Sequence, residues 1–319
     1  MDGKRMTADQ LAERVRALLL GVAVGDALGV PVEFRARGSF HVDGMRGHGT
    51  HDQPAGTWSD DTSLTLALAD AIAGDAVSLP RLARNFIAWH DAAAFTPHGA
   101  VFDVGNATAR AIGRLRRGTA PELAGGTEER DNGNGSLMRV APLVFLLAGR
   151  GPEERFRIIK AVSSVTHAHA WSVTACFIFL EVLRKLTAGI PKEKAYAELR
   201  EDLATPPSFL DAAALEKFRR ILREDIRDLP EADIRSSGFV VDTLEAALWS
   251  FLTTDTYRDA VLRAVNLGED TDTTGAVTGA LAAMAYGLDA IPEEWLARLQ
   301  AREQILRMAD RLARAIARG

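Results

Sequence analysis

The stretch GEDTDTTGAVTGALAAMAYGL, residues 268–288, decides how this chain folds. Its first half crowds the carboxylates of Glu269, Asp270 and Asp272 among the hydroxyls of Thr271, Thr273 and Thr274. An apolar run from Gly275 to Leu288 follows at once. Within that run Gly275, Gly279, Ala280 and Ala283 recur at helical spacing. A stripe of small side chains lets a second helix approach closely. The stretch therefore reads as a core helix over about 273–287, with its polar start held near the centre of a helical assembly.

Outward from there, helical periodicity dominates. Thr7 and Gln10 form a capping-box pattern opening a helix through Leu11, Val15, Leu18 and Leu19. Gly21 and Gly25 are expected to thin that helix before Pro31. Further helices are expected near 63–73, 79–93, 103–117, 137–149, 153–164, 169–188, 191–203, 211–227, 239–252, 256–266 and 293–317. The last is apolar through Leu296, Leu299, Ile305, Leu306, Leu312 and Ile316, and is expected to pack on its own core. Strand signals are weak; residues 40–45 could form a short extended piece. The fold class is all-α, a compact multi-helix bundle with the chemistry on loops and helix starts. No Pro/Gly/Ser-rich linker divides the chain and no fixed-period repeat is present, so residues 1–319 are expected to form one domain.

Composition narrows the function. With 38 Lys and Arg against 43 Asp and Glu, the net charge is −5, which gives no reason to expect nucleic acid or an anionic membrane as partner. The single cysteine, Cys176, lies in an apolar run and reads as a buried hydrophobe; one cysteine makes no internal disulfide. The runs 171–183 and 275–288 fall short of the roughly 20 residues that span a bilayer. The N-terminal residues show no signal-peptide pattern, and the expected location is cytoplasmic.

A second acidic cluster, GTWSDDT at 56–62, has the same character as the first. Asp60 and Asp61 are adjacent, flanked by Ser59 and Thr62, immediately before an apolar helical run. Crowded carboxylates repel unless a cation sits between them. Hard divalent ions such as Mg²⁺ and Mn²⁺ take oxygen ligands, about six of them. Either cluster alone also suits a helix N-cap. A cap needs one acid or hydroxyl, however, and each cluster has at least four such groups. An EF-hand is excluded, because its spacing is absent. Brought together, the clusters could hold two ions. The loop of residues 131–136, DNGNGS, could cradle phosphate oxygens with its backbone N–H groups, or be a plain connector. His167 and His169, one residue apart, do not share a helix face and suit an oxygen-rich site poorly as ligands. Trp58 reads as either core or a wall of the site.

Five ordered segments, GVAVGDALG (21–29), GTWSDDT (56–62), NGNGSLMR (132–139), Thr166-His167 and GEDTDTTG (268–275), resemble the ADP-ribosylglycohydrolase family across most of the chain. The resemblance implies an all-α fold with a binuclear Mg²⁺ or Mn²⁺ centre. By position, Ser59, Asp60, Asp61, Asp270, Asp272 and Thr273 match the family's metal ligands; the family often has Thr where this chain has Ser59. Glu33, in PVEF (31–34), matches a glutamate near the metals. Asp103 matches an aspartate proposed as catalytic in the arginine-directed members. Asp103, Glu33 and Asp61 are thus the catalytic candidates. Asn132, Gly133, Asn134, Gly135, Ser136, Met138 and His167 are the implied ADP-ribose contacts.

The implied reaction is hydrolysis of the bond between ADP-ribose and a modified acceptor, on a protein or a small conjugate, with ADP-ribose as product. Trp58 before Ser-Asp-Asp-Thr resembles the arginine-directed type more than the serine-directed one. O-linked ADP-ribose, an ADP-ribose-binding module without catalysis, and a dinuclear phosphohydrolase are the alternatives. The last is disfavoured because no Arg/Lys clamp stands beside the motifs.

Overall fold

The computed structural model describes residues 6–318. They form fourteen α-helices: α1 (Ala8–Gly29), α2 (Asp60–Ala71), α3 (Leu79–Ala92), α4 (Asn106–Arg116), α5 (Pro152–Ser163), α6 (Ala170–Thr187), α7 (Lys192–Asp202), α8 (Ala212–Glu216), α9 (Arg219–Leu222), α10 (Val240–Leu252), α11 (Tyr257–Asn266), α12 (Thr271–Tyr286), α13 (Glu293–Leu296) and α14 (Arg302–Ile316). Among these residues the only sheet is a hairpin pairing Ile72–Ala73 with Ala76–Val77 between α2 and α3. The class is all-α. Residues 40–45 are not a strand. Instead the Asn266 side-chain amide donates to the Val42 carbonyl and accepts from the Val42 N–H, both at 2.8 Å, doing a neighbouring strand's work.

The centre of the bundle is α1 packed on α12, and glycine makes it possible. A Cβ on Gly21 would lie 2.5 Å from Ala283 Cβ and 2.7 Å from the Gly279 carbonyl oxygen. A Cβ on Gly25 would overlap the Gly275 carbonyl, and one on Gly29 would overlap the Asp272 backbone. The small-residue stripe on α12 thus meets a matching stripe on α1, and the two backbones come nearly into contact. Tyr257, fully buried on α11, donates to the Gly21 carbonyl at 2.8 Å and closes the seam. For this reason α1 does not thin at Gly21 and Gly25 but runs through to Gly29. Tertiary packing outweighs the helix cost of glycine, about 1 kcal/mol each. The 25 residues from Ala8 to Val32 are apolar enough to resemble a membrane span, yet they are the core of this bundle, 94% buried over their most apolar window.

Three expected helices differ from the structure. Residues 137–149 contain a 3₁₀ segment, Ala141–Leu146, rather than an α-helix. Pro142 lacks the N–H that would bond the Met138 carbonyl, and Thr65 Oγ1 lies 3.5 Å from that oxygen instead. The span 211–227 breaks into α8 and α9 at Phe218, whose ring is buried. The C-terminal span breaks between α13 and α14, where Ala301 takes a left-handed conformation at φ 48°. That break is a clamp: Gln300 N–H donates to the Gly56 carbonyl at 3.0 Å, and Trp58 Nε1 donates to the Gln300 carbonyl at 2.9 Å. Trp58 is therefore core, fully buried, and it ties the loop before Asp60 to the C-terminal helices. As expected, Leu296, Leu299, Ile305 and Leu312 are buried in the same core.

Candidate metal centre and active site

The two acidic clusters meet. Thr273 Oγ1 lies 3.3 Å from Asp61 Oδ2, across 212 positions of sequence. Each cluster is the first turn of a helix. Asp60 and Asp61 open α2, and Asp270 is the N-cap of α12 with Asp272 in its first turn. The helix expected over about 273–287 begins earlier, at Thr271, which puts Asp272 inside it rather than before it. Both helices present their N-terminal ends, where backbone N–H groups favour negative charge. The glycine seam fixes α12 against α1, and α1 in turn carries a further carboxylate, Asp26.

Asp26 is a residue the sequence motifs contain but their chemistry did not single out. It is fully buried within the apolar run of α1. Its carboxylate accepts from Ser59 N–H at 2.9 and 3.0 Å, Thr62 N–H at 3.0 Å and Thr62 Oγ1 at 2.6 Å. It therefore anchors the start of α2 from below. Oxygens of Asp26, Asp61 and Asp272 lie within 4.8 Å of one another, and so do those of Glu33, Asp270 and Asp272. The signal for it was a lone acid in the middle of GVAVGDALG, which only burial could justify.

The capping alternative accounts for part of this polarity. Ser59 Oγ accepts from Asp61 N–H at 3.3 Å as an N-cap and donates to Asp61 Oδ2 at 3.1 Å. Asp272 Oδ1 accepts from Thr273 N–H at 2.8 Å. The surplus stays unaccounted for. Asp61 Oδ1, Asp270 Oδ1 and Asp272 Oδ2 are buried and accept no hydrogen bond from protein. Among the described residues, Glu33 with His51 is the only ion pair any of these acids makes.

Burial pushes every one of them upward, and like charge adds to it for Glu33, Asp60, Asp61 and Asp272. Burial, then Asp103 and Asp61, hold the Asp60 carboxyl well above the usual carboxylate range; burial and Asp26 do the same for Asp61, and burial and Glu33 for Asp272. Glu33 is pushed up to about 10 by burial and Asp103, and Asp26 to about 6 by burial. Buried carboxylates of one sign are resolved by protons or by a cation. An all-oxygen donor set with free, buried lone pairs fits hard divalent ions.

Above the acids opens a cavity of about 470 Å³. Glu33, Asp60, Asp103, Asp270 and Thr273 line its floor. Asp61, Asp272 and Ser59 lie beneath, buried. Asp103 sits in a left-handed conformation at φ 50°, and burial and Asp270 raise its carboxyl. His51, which the motifs did not mark, has Nε2 against Glu33 Oε2, and its ligand atoms lie within 4.8 Å of those of Glu33 and Asp103.

Gly133, Asn134, Gly135, Met138 and His167 line the same cavity. Asn134 Nδ2 donates to Asp270 Oδ2 at 2.8 Å and to Thr243 Oγ1 at 2.9 Å, joining the glycine loop to the acids. A Cβ on Gly135 would lie 2.8 Å from the His167 ring and 3.1 Å from Thr108 Oγ1, so any larger residue would have to displace the His167 ring. Buried Arg139 donates to the Gly135 carbonyl and braces the loop from behind. His167 is pushed down to about 3 by burial and Arg139, so its ring is neutral; Thr166 Oγ1 is 2.7 Å from its Nδ1. Two members of the expected set are turned away. Asn132 Oδ1 accepts from Ser172 N–H and Oγ, and Nδ2 donates to the Glu129 carbonyl. Ser136 is fully buried against Ser163 Oγ at 3.0 Å. His169 caps α6 through Nδ1. Arg110 and Arg130 also line the cavity, a basic edge that had not been expected beside the motifs.

The class is an all-α bundle whose paired acidic helix starts, beneath a polar cleft, could hold cations between buried carboxylates. The chain matches the ADP-ribosylglycohydrolase family over residues 7–319, and it belongs to that family, whose chemistry is metal-dependent. It is 32% identical over 302 residues to the ADP-ribosylarginine hydrolase Tri1 of Serratia proteamaculans, covering 94% of this chain and 79% of that one. It is 34% identical over 309 residues to the Tri1 of Pseudomonas putida, covering 96% and 80%. The ADP-ribosyl-[dinitrogen reductase] glycohydrolase of Rhodospirillum rubrum is 30% identical over 320 residues, covering 96% and 98%. A solved structure, an ADP-ribosylglycohydrolase-related protein complex, superposes with a TM-score of 0.80 at 32% identity, covering 96% of this chain and 99% of the other.

Proposed function

We propose that this protein hydrolyses the N-glycosidic bond of ADP-ribosyl-arginine on a modified protein, releasing ADP-ribose. The observation that carries the reading is the set of buried carboxylates from α2 and α12 with unpartnered oxygens at the base of a cleft. Full-length similarity to two ADP-ribosylarginine hydrolases supports arginine as the acceptor.

Ser59, Asp60, Asp61, Asp270, Asp272 and Thr273 would hold two divalent cations, Mg²⁺ or Mn²⁺. Such ions lower the pKa of water and grip neighbouring hydroxyls of a ribose. The chain does the rest. The bond from the ribose anomeric carbon to the guanidine nitrogen breaks through an oxocarbenium-like state; water oxygen joins the carbon and a proton reaches the nitrogen. Asp103 and Glu33 line the cleft, where one can take the attacking water's proton while the other, still protonated because burial raises its carboxyl, gives a proton to the leaving nitrogen. Gly133 and Gly135 offer backbone for the diphosphate, neutral His167 a further hydrogen bond, and Arg110 and Arg130 positive charge at the rim. A cavity of about 470 Å³ is within the range of small-molecule sites.

The test is mass spectrometry of products from an ADP-ribosylated arginine peptide with and without Mn²⁺, for the wild type, Asp60→Ala and Asp272→Ala. The expected result is metal-dependent ADP-ribose from the wild type only. Full activity in either variant refutes the assignment; turnover of only a serine-linked peptide refutes the arginine reading.

A further inference from the structure

Phe34 is out of place by every rule of folding. Its side chain is 67% exposed, one of the few large apolar residues on the surface of the described chain. Its backbone is left-handed, at φ 63°, a conformation that bulky side chains rarely adopt. Neither feature helps the core. The position is nevertheless firmly held. Phe34 N–H donates to the Glu269 carbonyl at 2.6 Å, and Glu269 N–H donates to the Arg35 carbonyl at 2.8 Å. Both residues of this pairing are left-handed, Glu269 at φ 60°, so two strained loops are latched together. One follows Glu33 and the other leads directly into Asp270.

The latch leaves Phe34 on the wall of the cleft, next to Glu33. Its ring lies 5.9 Å from that of His51, and His51 lies 5.2 Å from the ring of Phe102. The His51 ring meets that of Phe34 edge-on, at 63°, and leans at 45° to that of Phe102, so Phe34 alone of the three lines the cleft while His51, beside Glu33 and Asp103, and Phe102 stand behind it. Strain and exposure held in place by surrounding structure mark a group kept for a ligand. Aromatic faces backed by carboxylates attract a flat, delocalised cation, and among side chains that is the guanidinium.

Resting on the arginine reading above, we infer that Phe34, buttressed by His51 and Phe102 behind it, is the platform on which the guanidinium of the modified arginine lies while its ribose is held over the carboxylates. Phe34 then selects the acceptor rather than the nucleotide, and the nucleotide is gripped by the glycine loop.

The experiment compares wild type, Phe34→Gly, Phe34→Leu and Phe34→Trp with ADP-ribosyl-arginine as substrate and free ADP-ribose as a binding probe. Losing the aromatic face raises KM about tenfold in the Gly and Leu variants, with the loss falling on KM rather than kcat, and Trp restores it. The affinity for ADP-ribose, by calorimetry, does not change. Phe34→Gly melts no lower than wild type, because glycine relieves the left-handed backbone. An unmoved KM in Phe34→Leu, with an active wild type, overturns the platform and leaves the arginine reading standing. A matching loss of ADP-ribose affinity overturns it too, since Phe34 would then serve the nucleotide. A wild type inert toward ADP-ribosyl-arginine overturns the arginine reading itself, and the platform with it.

Discussion

Substituting Gly25 by alanine puts one methyl group where the bundle has no room. Its Cβ would overlap the Gly275 carbonyl and stand 3.0 Å from the Ala276 nitrogen. In an open helix the change would stabilise by about 0.5–1 kcal/mol, because alanine loses less backbone entropy. Here the obstruction is backbone, so no rotamer can yield and α1 must move off α12. Overpacking of this kind costs about 1–3 kcal/mol, and a rigid obstacle argues for the upper end, giving a net loss of roughly 2 kcal/mol. The displacement also reaches the site. Asp26 follows Gly25 and holds the start of α2, while Asp272 stands three residues before Gly275. Urea unfolding in EDTA measures the first effect, and calorimetric Mn²⁺ titration the second. Gly113→Ala is the control: in α4 its Cβ meets only Arg117 Nη1, at 3.6 Å, and it should stabilise slightly. A Gly25→Ala protein as stable as wild type, with unchanged Mn²⁺ affinity, would show that the glycine seam does not set the site.

Other outcomes follow from the acids. Because the folded protein raises Glu33, Asp26 and the cluster carboxylates, the metal-free native state binds protons that the unfolded chain gives up near pH 4. Its stability should therefore fall as pH rises from about 4 through Asp26 near 6 and onward toward Glu33 near 10, and saturating Mn²⁺ should flatten the fall; melting curves from pH 5 to 8 that rise with pH in EDTA would contradict this. Below that window the slope reverses, since Asp70, lowered by Arg81, and Asp131, lowered by the Glu128 N–H and then Arg110, lose their partners' support on protonation. Metal at about 100 times its Kd should add about 2.7 kcal/mol of stability to wild type, read as a higher melting temperature. Asp26→Asn leaves one accepting oxygen where two serve Ser59 and Thr62, and an orphaned buried donor costs about 1–3 kcal/mol, so both stability and Mn²⁺ affinity should fall; unchanged affinity would confine Asp26 to capping.

Much of this was legible in the letters, for identifiable reasons. Helices with a strong apolar stripe and clear ends, such as α3, α10 and α11, fall within about a residue of where spacing puts them. The acid surplus at Asp60–Asp61 and Asp270–Asp272 exceeds what capping can use, which is why it signals a shared site. What local pattern cannot show is which segments meet. Gly21 and Gly25 look like helix breakers until α12 lies against them. Asp26 looks anomalous until α2 needs an anchor. His51 ends a single 3₁₀ turn, Gly49–His51, that no periodicity marks, and only the position of Glu33 gives it a partner. Asn132 and Ser136 belong to the same polar loop as Asn134, yet backbone direction turns them to Ser172 and Ser163, away from the cleft. The break at Ala301 has no local breaker and exists because Gly56 and Trp58 bond to Gln300.

Anomalous diffraction from Mn²⁺-soaked crystals reads the decisive feature directly. Two peaks at about 2.0–2.2 Å from carboxylate oxygens contributed by both α2 and α12 are the predicted result. Peaks confined to surface acids, with none touching Asp61 or Asp272, would mean that these buried oxygens are satisfied by protons and that the site is not a metal centre.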